Sequence, residues 1–414
     1  MSSDPKTARN VLLACFQAAL KAVNGSYCVK KYFRDIPKPW SGPMAMIAIG
    51  KAAPSMAEGA RAVFGEQIQS GLIICRAPCA EAASFNWPGG RLIESSHPVP
   101  DKRSIHAGQA MIDFIQALPD DMPVLFLISG GTSALVELLP ENVQLEDLQR
   151  INEIMLANGM PIDAMNWVRK AVSLIKGGRL IQYLGERPVL NLLLSDVPED
   201  DPAVIGSGLL VPPEPEQQEF AGLPPDVEKF INTIDNPHPE ALTHSTIETI
   251  IIGNNQMAGE AAAQEAARLG FTTTLHESFL CDEVEKIADQ LTQHMKDADK
   301  GIHIWGAEPL VFLPDSPGRG GRNQHLALLL AEKNKANKDI YYLVGATDGS
   351  DGVTEDAGAL VDGQTVQRGE EEGLDVNTCI KRADAGTFLE ASGDLISTGS
   401  TGSNVMDLII VCKT

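Results

Sequence analysis

The sequence predicts an α/β fold built around mostly parallel strands that are covered by helices. Short unbroken apolar runs, such as residues 124–128, alternate along the chain with longer segments of helical periodicity. Unbroken runs are typical of strands buried on both faces, and their alternation with helices is typical of parallel sheets. Polar residues gather directly after these runs, where such sheets bind ligands.

The individual elements follow from local signals. Apolar residues at helical spacing predict helices over residues 5–23, 54–64, 104–118, 145–158, 161–182 and 258–269. Asn24-Gly25 is expected to end the first of them. Apolar runs predict strands over residues 44–50, 71–75, 124–128, 189–194, 249–253, 302–306, 339–345 and 408–411.

The chain of 414 residues is long enough for more than one domain. Its least regular part is the Pro-rich and Glu-rich stretch from residue 211 to 225, after which the alternation of strand and helix begins afresh at residue 249. We therefore predict domains over residues 1–240 and 241–414. The helix over residues 5–23 can pack on either domain.

Composition excludes several classes of partner. The formal net charge of -22 argues against binding to nucleic acid. It also requires a local basic cluster wherever an anion binds, because the protein as a whole repels anions. No apolar run approaches the ~18 residues that a membrane span needs.

The cysteines and the first residues indicate a cytoplasmic setting. Seven cysteines, an odd number without a C-x-x-C pair, are typical of reduced thiols. Cys75 and Cys79 are the closest pair, and we interpret them as ordinary thiols. Residues 1–6 lack the layout of a signal peptide.

Common nucleotide and catalytic motifs are missing from the sequence. It contains no G-x-x-x-x-G-K-[ST] and no G-x-G-x-x-G after a strand, because Gly50 is followed by Lys51 and bulkier residues. It contains neither H-E-x-x-H nor G-x-S-x-G. Among eight scattered histidines, His97 before a proline is the one to note.

The segment Ser129-Gly130-Gly131-Thr132-Ser133 is a candidate anion site. It follows a predicted buried strand and precedes an apolar segment that can start a helix. Glycines allow an anion to approach the backbone, and the free N–H groups at a helix start favour negative charge. A plain turn between strand and helix is the alternative interpretation.

Basic residues near strand ends provide candidate anion ligands. Lys51 lies where a strand meets a helix start and so is expected to face an anion, although a solvated lysine is the alternative. Arg169 and Lys176, seven residues apart, are predicted to share a helix face. A solvated face is the alternative there.

The segment Gly318-Arg319-Gly320-Gly321-Arg322-Asn323-Gln324 is a stronger candidate. Its glycines free the backbone, and two guanidinium groups can bind phosphate or carboxylate in a bidentate manner. A helix is predicted to open at Asn323, which again suits a phosphate. The alternative is a surface loop.

Acidic and amide side chains complete the candidate set. Asp196 follows one strand, and Asp348 and Asp351 follow another; one or two such carboxylates suffice for nucleotide-bound Mg²⁺. The second group lacks the spacing of an EF-hand loop. Asn254 and Asn404, in turns rich in polar groups, are candidate ligand contacts.

Taken together, these motifs resemble those of glycerate 2-kinases whose C-terminal part is the MOFRL module. The similarity extends from about residue 44 to residue 411. The matching stretches are residues 50–53, 96–101, 127–131, 166–170, 175–179, 194–202, 318–324, 347–352 and 402–404.

The resemblance implies a Rossmann-like domain with a mostly parallel sheet, a smaller C-terminal α/β domain, and a cleft between them. It implies ATP-dependent and Mg²⁺-dependent phosphorylation of D-glycerate on its 2-hydroxyl group. By this resemblance Lys51 and Arg322 would be the essential basic pair. Our own hypothesis for the acids is that Asp196 is the general base or a Mg²⁺ ligand and that Asp351 is a second Mg²⁺ candidate.

Two other functions stay open from the sequence. One is an NAD(P)H-dependent hydroxypyruvate reductase, a label that this family has also carried, although the dinucleotide fingerprint is missing. The other is a non-catalytic module that binds sugar phosphates. The oligomeric state is open, a homodimer being one option.

Overall fold

A computed structural model describes residues 5–79, 85, 87–211, 222–234 and 247–414 of the protein. The chain divides into two compact units. The parallel-sheet unit comprises residues 25–252, and the mixed-sheet unit comprises the first 24 residues together with residues 253–414. The predicted boundary between residues 240 and 241 lies outside the described residues.

Fourteen α-helices are described in these ranges. They are α1 (Pro5–Ala22), α2 (Gly25–Asp35), α3 (Ala53–Phe64), α4 (Lys102–Ala117), α5 (Thr132–Leu135), α6 (Leu145–Ala157), α7 (Ile162–Val172), α8 (Pro225–Ile231), α9 (Asn255–Arg268), α10 (Val284–Asp297), α11 (Arg322–Lys333), α12 (Thr365–Glu371), α13 (Val376–Lys381) and α14 (Ala385–Ala391).

Twelve strands are described in the same ranges. They are β1 (Met44–Ile49), β2 (Ile68–Arg76), β3 (Gly90–Ser95), β4 (Val124–Ile128), β5 (Val189–Leu194), β6 (Ile247–Gly253), β7 (Thr273–Leu275), β8 (Gly301–Ala307), β9 (Ile340–Ala346), β10 (Gly358–Asp362), β11 (Leu395–Ile396) and β12 (Asp407–Lys413).

The first sheet has the strand order β3-β2-β1-β4-β5-β6, and its neighbours from β3 to β5 run parallel. All residues of β1 and β4 are buried. Ala45, Ile47 and Ile49 pack into the core on one face, and Met46 and Ala48 into the core on the other. Burial on both faces explains why these strands are unbroken apolar runs.

The order of this sheet identifies where a ligand belongs. The chain winds outward from β1 through β2 to β3 and then returns to β4 on the other side of β1. Between β1 and β4 the order reverses, and open parallel sheets bind ligands outside the carboxyl ends of the strands at such a point. Gly50-Lys51 follows β1, and Ser129 follows β4.

The second sheet has the order β11-β10-β9-β12-β8-β7. Strands β7 and β8 are parallel, whereas β8, β12, β9, β10 and β11 pair antiparallel. The expectation of parallel strands is therefore wrong for most of this sheet. The physical reason is that the C-terminal strand β12 inserts between β8 and β9 in the opposite direction, a long-range pairing that local periodicity does not encode.

Helix α1 belongs to the mixed-sheet unit. It packs against α9 and against the strands β9 and β12, and its buried residues Leu12, Phe16 and Ala19 join the core that lines one face of the second sheet. A new helix, α2, starts at Gly25 directly after α1, where the sequence predicted only an end. This second helix belongs to the parallel-sheet unit, where it packs on α3.

The predicted helix over residues 161–182 is wrong in its second half. Helix α7 ends at Val172, and a short 3-10 helix covers Arg179–Tyr183. Helix α7 stops because the backbone of Ser173 is extended, with φ of -89° and ψ of 141°. The left-handed Gly177 and Gly178, with φ of 59° and 78°, keep the helix from resuming. Arg169 and Lys176 consequently do not share a helix face.

Two general findings complete the fold. None of the seven cysteines forms a disulfide, so Cys75 and Cys79 are thiols as predicted. Among the described helices, none combines the length and the apolar character that crossing a bilayer requires.

Candidate active site

The turns after β1 and β4 are joined by backbone hydrogen bonds. The amide of Lys51 donates to the carbonyl of Gly130 over 2.9 Å, and the amide of Ser129 donates to that of Ile49 over 3.0 Å. The amide of Ala52 donates to the buried hydroxyl of Ser129 over 3.0 Å. These bonds hold the lysine backbone and the glycine turn at fixed positions beside each other.

Glycine is required in both turns. Gly50 has φ of 128°, and a Cβ there would lie 2.1 Å from the Ser129 hydroxyl oxygen. Gly131 has φ of 86°, and its Cβ would lie 3.0 Å from Cδ2 of His97 and 3.3 Å from Cγ of Lys51. The missing side chain at position 131 thus leaves the imidazole and the lysine stem close to the bare backbone.

The rest of the Ser129–Ser133 segment divides into supporting and exposed parts. Thr132 is buried, and its hydroxyl shares one hydrogen between the carbonyls of Ile49 and Ser129, at 3.0 and 2.7 Å. The helix that begins there, α5, is only one turn long, so its dipole is weak. Ser133 accepts a hydrogen bond from the Ser207 hydroxyl over 2.7 Å.

Asp196 lies just after β5, at the same edge of the sheet as the two turns. Its side chain is partly buried, and burial raises the pKa of Asp196 from 3.8 to about 6, while the nearby charge of Lys51 opposes this shift. A carboxyl group with such a pKa is largely ionised at pH 7 and can still accept a proton. The structure therefore brings two predicted catalytic residues, Lys51 and Asp196, together.

A cavity of about 200 Å³ adjoins the glycine turn. Basic, acidic and amide side chains line it together with the backbone of the turn. Its polar lining includes His97, Gly131, Ser133, Glu137, Asn152, Arg169 and Lys176. Arg169 and Lys176, which the sequence placed on one helix, thus reach the same cavity from α7 and from the loop that follows it.

Lys176 and Glu137 form a buried ion pair at this cavity. The ammonium nitrogen lies 2.5 Å from the Glu137 carboxylate, and the side chains are only 2% and 1% exposed. The hydroxyl of Ser173 and the amide of Leu138 also donate to Glu137, over 2.5 and 3.0 Å. With these donors the buried charges are fully compensated, as buried charges must be.

Arg169 presents a guanidinium group to the same cavity. Its Nε donates to Asn152 over 3.1 Å and its Nη1 lies 3.4 Å from the Asn166 side-chain oxygen, while Nη2 has no hydrogen-bond partner among the described residues. Burial lowers the pKa of Arg169, which stays cationic at neutral pH. Lys170 and Arg179, by contrast, bind backbone carbonyls and hold the loop.

The predicted residues of the mixed-sheet unit form a separate group around Arg322. This residue begins α11, and its Nε donates to Asp407 over 2.7 Å while Nη1 lies 3.4 Å from Glu308. Burial acts to lower the pKa of Arg322, but Asp407 and Glu308 more than offset it and raise that pKa. Its side chain is still 35% exposed, so the guanidinium group can also meet a ligand.

Asp351 caps the start of α11. Its two carboxylate oxygens accept the amides of Asn323 and Gln324 over 3.1 and 2.8 Å, and the side chain of Asn323 donates to it over 3.3 Å. Burial raises the pKa of Asp351 to about 7 although these amides lower it, and the residue is only 2% exposed. These contacts describe a structural role for Asp351.

The remaining predicted residues of this unit have local roles. Arg319 forms ion pairs with Asp356, over 3.2 Å, and with Glu390. Asn254 caps α9 by accepting the amide of Met257 over 2.9 Å. Asp348 accepts the amide of Ser350 over 3.0 Å. Asn404 is buried in the turn that leads into β12.

Sequence reasoning missed Glu137, Asn152 and Asp407. Glu137 interrupts the apolar run around Leu135 and Leu138, a pattern that indicates a buried and paired charge. Asp407 opens a strand of apolar residues in the same way. The partners of these acids, Lys176 and Arg322, are 39 and 85 residues away, and no local signal identifies them.

Two family models match the chain. Residues 11–224 match a domain of unknown function, DUF4147, and residues 301–407 match the MOFRL family. The first match covers about half of the 414 residues and includes the turns after β1, β4 and β5. The second includes Arg322, Asp351 and Asp407.

Curated relatives and a solved structure match nearly the whole chain. A D-glycerate 2-kinase of Thermotoga maritima is 32% identical, with 98% of this chain and 99% of the relative covered. A protein of Agrobacterium vitis named putative hydroxypyruvate reductase is also 32% identical, over 99% of this chain and 95% of its own. A crystal structure of glycerate kinase from Thermotoga maritima aligns with a TM-score of 0.85 and 30% identity, over 99% of this chain and all of that chain.

Proposed function

The chain belongs to the glycerate 2-kinase family, and we propose that it transfers the γ-phosphoryl group of ATP to the 2-hydroxyl group of D-glycerate. The protein is a kinase that acts on an alcohol group, with a small molecule as substrate and ATP as donor. The identity of the substrate, the metal and the roles of individual residues are our proposal.

One observation carries the assignment to this chain. Lys51, the Gly130-Gly131 turn and Asp196 lie together at the switch point of the parallel sheet, beside the basic cavity. Phosphoryl transfer needs positioning and charge stabilisation more than covalent chemistry from the protein. A lysine, a bare backbone and a carboxyl group with a pKa of about 6 supply these functions.

We assign the cavity to the carboxylate end of glycerate. Nη2 of Arg169 has no hydrogen-bond partner among the described residues, and guanidinium groups bind carboxylates in a bidentate manner. Lys176 adds a second positive charge, although Glu137 neutralises much of it. With the carboxylate held there, the 2-hydroxyl group of a three-carbon acid would lie near Gly131 and Ser133, whose turn is bonded to the backbone of Lys51.

Lys51 and Arg322 are the proposed basic pair of the reaction. Their cationic groups stabilise the charge on the transferring phosphoryl group, the largest contribution that an enzyme makes to such a transfer. Backbone N–H groups of the turn from Gly130 to Ser133 contact one of the anionic reactants, whereas the N–H of Ser129 already donates to Ile49 and so supports the turn. Arg319, Asn254, Asn323, Asp348 and Asn404 are proposed contacts of the nucleotide.

Asp196 is proposed as the general base toward the 2-hydroxyl group or as a ligand of Mg²⁺. Its carboxylate is partly exposed and is an oxygen donor of the kind that Mg²⁺ prefers, so it fits either role. Asp351 fits a metal less well, because both of its oxygens already accept amides at the start of α11. When bound, Mg²⁺ would neutralise charge on the ATP phosphates.

The decisive experiment couples ADP release to NADH oxidation with D-glycerate and ATP as substrates. We expect ADP release that depends on D-glycerate, and phosphorus NMR should place the new phosphate on carbon 2. Lys51→Ala should lower turnover by roughly a hundredfold or more, as the loss of a group that stabilises transition-state charge does. Lys102→Ala, an exposed lysine at the start of α4, is the matched control and should retain normal turnover.

Absence of ADP release with bound glycerate would instead support a non-catalytic binding module. The name of the Agrobacterium vitis relative suggests a hydroxypyruvate reductase, which incubation with NAD(P)H and hydroxypyruvate, followed by absorbance, can test. Oxidation of NAD(P)H by hydroxypyruvate without ATP would favour that activity over the kinase. Dimerisation and a cytoplasmic location stay predictions from sequence.

A further inference from the structure

Three histidines that take no part in the proposed reaction cluster in the mixed-sheet unit. His276 directly follows β7, His294 lies in the last turn of α10, and His303 lies within β8. One ring nitrogen of each lies within 4.8 Å of those of the other two. The three imidazoles thus come from three separate elements and converge on one point.

The distance between two of these nitrogens matches a metal site. Nε2 of His276 lies 3.3 Å from Nδ1 of His303. Two nitrogens that bind one tetrahedral zinc ion at 2.0–2.1 Å each are separated by about 3.3 Å. The pair is therefore already spaced as two ligands of one ion.

The protonation pattern of His303 is also that of a metal ligand. Its Nε2 lies 2.9 Å from the backbone carbonyl of Asp299. A carbonyl oxygen only accepts, so Nε2 carries the hydrogen and Nδ1 directs a lone pair toward His276. Metal-binding histidines generally donate their second N–H to a carbonyl or carboxylate in this way, which fixes the ring.

The surroundings hold the rings in place and leave one side open. The His276 ring stacks on Trp305 with centroids 3.9 Å apart and planes 3° from parallel. His303 is buried with 4% exposure, whereas His294 is exposed. An ion can therefore enter from solvent past His294 and meet two rings that packing has already oriented.

We propose that His276, His294 and His303 bind one divalent transition-metal ion of the zinc class, with a fourth position open to water. Three imidazoles suit zinc, copper, nickel and cobalt far better than magnesium or calcium. His303 precedes the end of β8 by four residues, about 13 Å along a strand, so this centre is separate from Glu308 and Arg322. Its role is to clip α10 and the edge strand β7 to the sheet.

Zinc binding to the full chain tests the proposal. After dialysis against a chelator, titration of Zn²⁺ in competition with a chromogenic chelator should give one ion per chain and a higher melting temperature. His294→Ala should lower the zinc affinity at least tenfold. Because His294 is exposed, this variant should keep the fold, and His106→Ala, an exposed histidine of α4, is the matched control with unchanged affinity.

A spectroscopic readout at the site makes the test specific. Cu²⁺ quenches tryptophan fluorescence at short range, and Trp305 is the one of four tryptophans that stacks on a proposed ligand. We expect saturable quenching at one equivalent that Trp305→Phe removes. Equal zinc affinity in His294→Ala and the unaltered protein, or quenching that survives Trp305→Phe, would overturn the proposal and leave only a histidine–histidine hydrogen bond.

Discussion

Replacement of Lys176 by methionine should separate the stability of the cavity from its function. Methionine has nearly the shape of the lysine stem but no charge. The Glu137 carboxylate is 1% exposed and lies 2.5 Å from the ammonium nitrogen in the unaltered protein. In the variant it would be a buried charge without a counter-ion. We therefore expect a large loss of stability from a substitution that barely changes volume.

The size of the loss follows from the burial. Removal of one partner of a buried ion pair costs about 3–5 kcal/mol. For a unit of 150–250 residues, each kcal/mol lowers the melting temperature by about 2–4 °C. Because the parallel-sheet unit spans residues 25–252, the melting temperature of Lys176→Met should fall by roughly 6–20 °C.

A second substitution should restore the stability but not the activity. In the double variant Glu137→Gln, Lys176→Met, the amide oxygen can still accept from Ser173 and Leu138, which now donate to the carboxylate. Scanning calorimetry should place its unfolding within about 1–2 kcal/mol of the unaltered protein. The KM for D-glycerate should be raised at least tenfold in both variants, because both lack the ammonium group of the cavity.

Two results would refute this reasoning. Normal stability of Lys176→Met would mean that the ion pair is not buried in solution. An unchanged KM for D-glycerate in the stable double variant would mean that this cavity does not bind the substrate carboxylate.

Three further predictions test the turns and the acids. Gly131→Ala should lower turnover ten- to a hundredfold, because its Cβ would crowd the His97 ring and the stem of Lys51. Gly159→Ala, at a left-handed position with open space, should lower stability by only about 1–2 kcal/mol and leave activity unchanged, and equal kinetics of the two variants would contradict this. If Asp196 is the base, log kcat/KM should fall with unit slope below about pH 6, because burial raises its pKa from 3.8 to about 6 and the ionised form is lost as the pH falls. A kcat/KM that stays constant down to pH 5 with saturating Mg²⁺ would favour the metal-ligand role. Asp351→Ala should destabilise the mixed-sheet unit by about 2–5 kcal/mol in urea unfolding, because two buried amides at the start of α11 lose their acceptor. An unchanged urea midpoint would show that Asp351 does not cap α11.

Local chemistry in the sequence was sufficient to predict much of the fold and of the turns. The runs that form β1, β4 and β5 are buried on both faces and so are apolar throughout, which makes them visible without any knowledge of their neighbours. The same holds for Lys51 and the Gly130-Gly131 turn, since their position directly after such runs is enough to place them at a ligand-binding edge.

Long-range pairing was beyond the reach of that reasoning. The direction of β12 depends on its insertion between β8 and β9. The end of α7 depends on the extended backbone of Ser173, whose hydroxyl donates to the distant Glu137. Arg169 and Lys176 were expected to meet on a helix and instead meet at a cavity.

The sequence by itself determined which residues carry charge, which segments are apolar enough to be buried, and where glycine frees the backbone. Only the tertiary structure decided that Lys176 faces Glu137, that Asp351 caps α11, and that three histidines from separate elements converge. The physical reason is that periodicity and turn chemistry are local properties of the chain. Charge pairing and ligand geometry, in contrast, arise between residues that only packing brings within a few ångströms of each other.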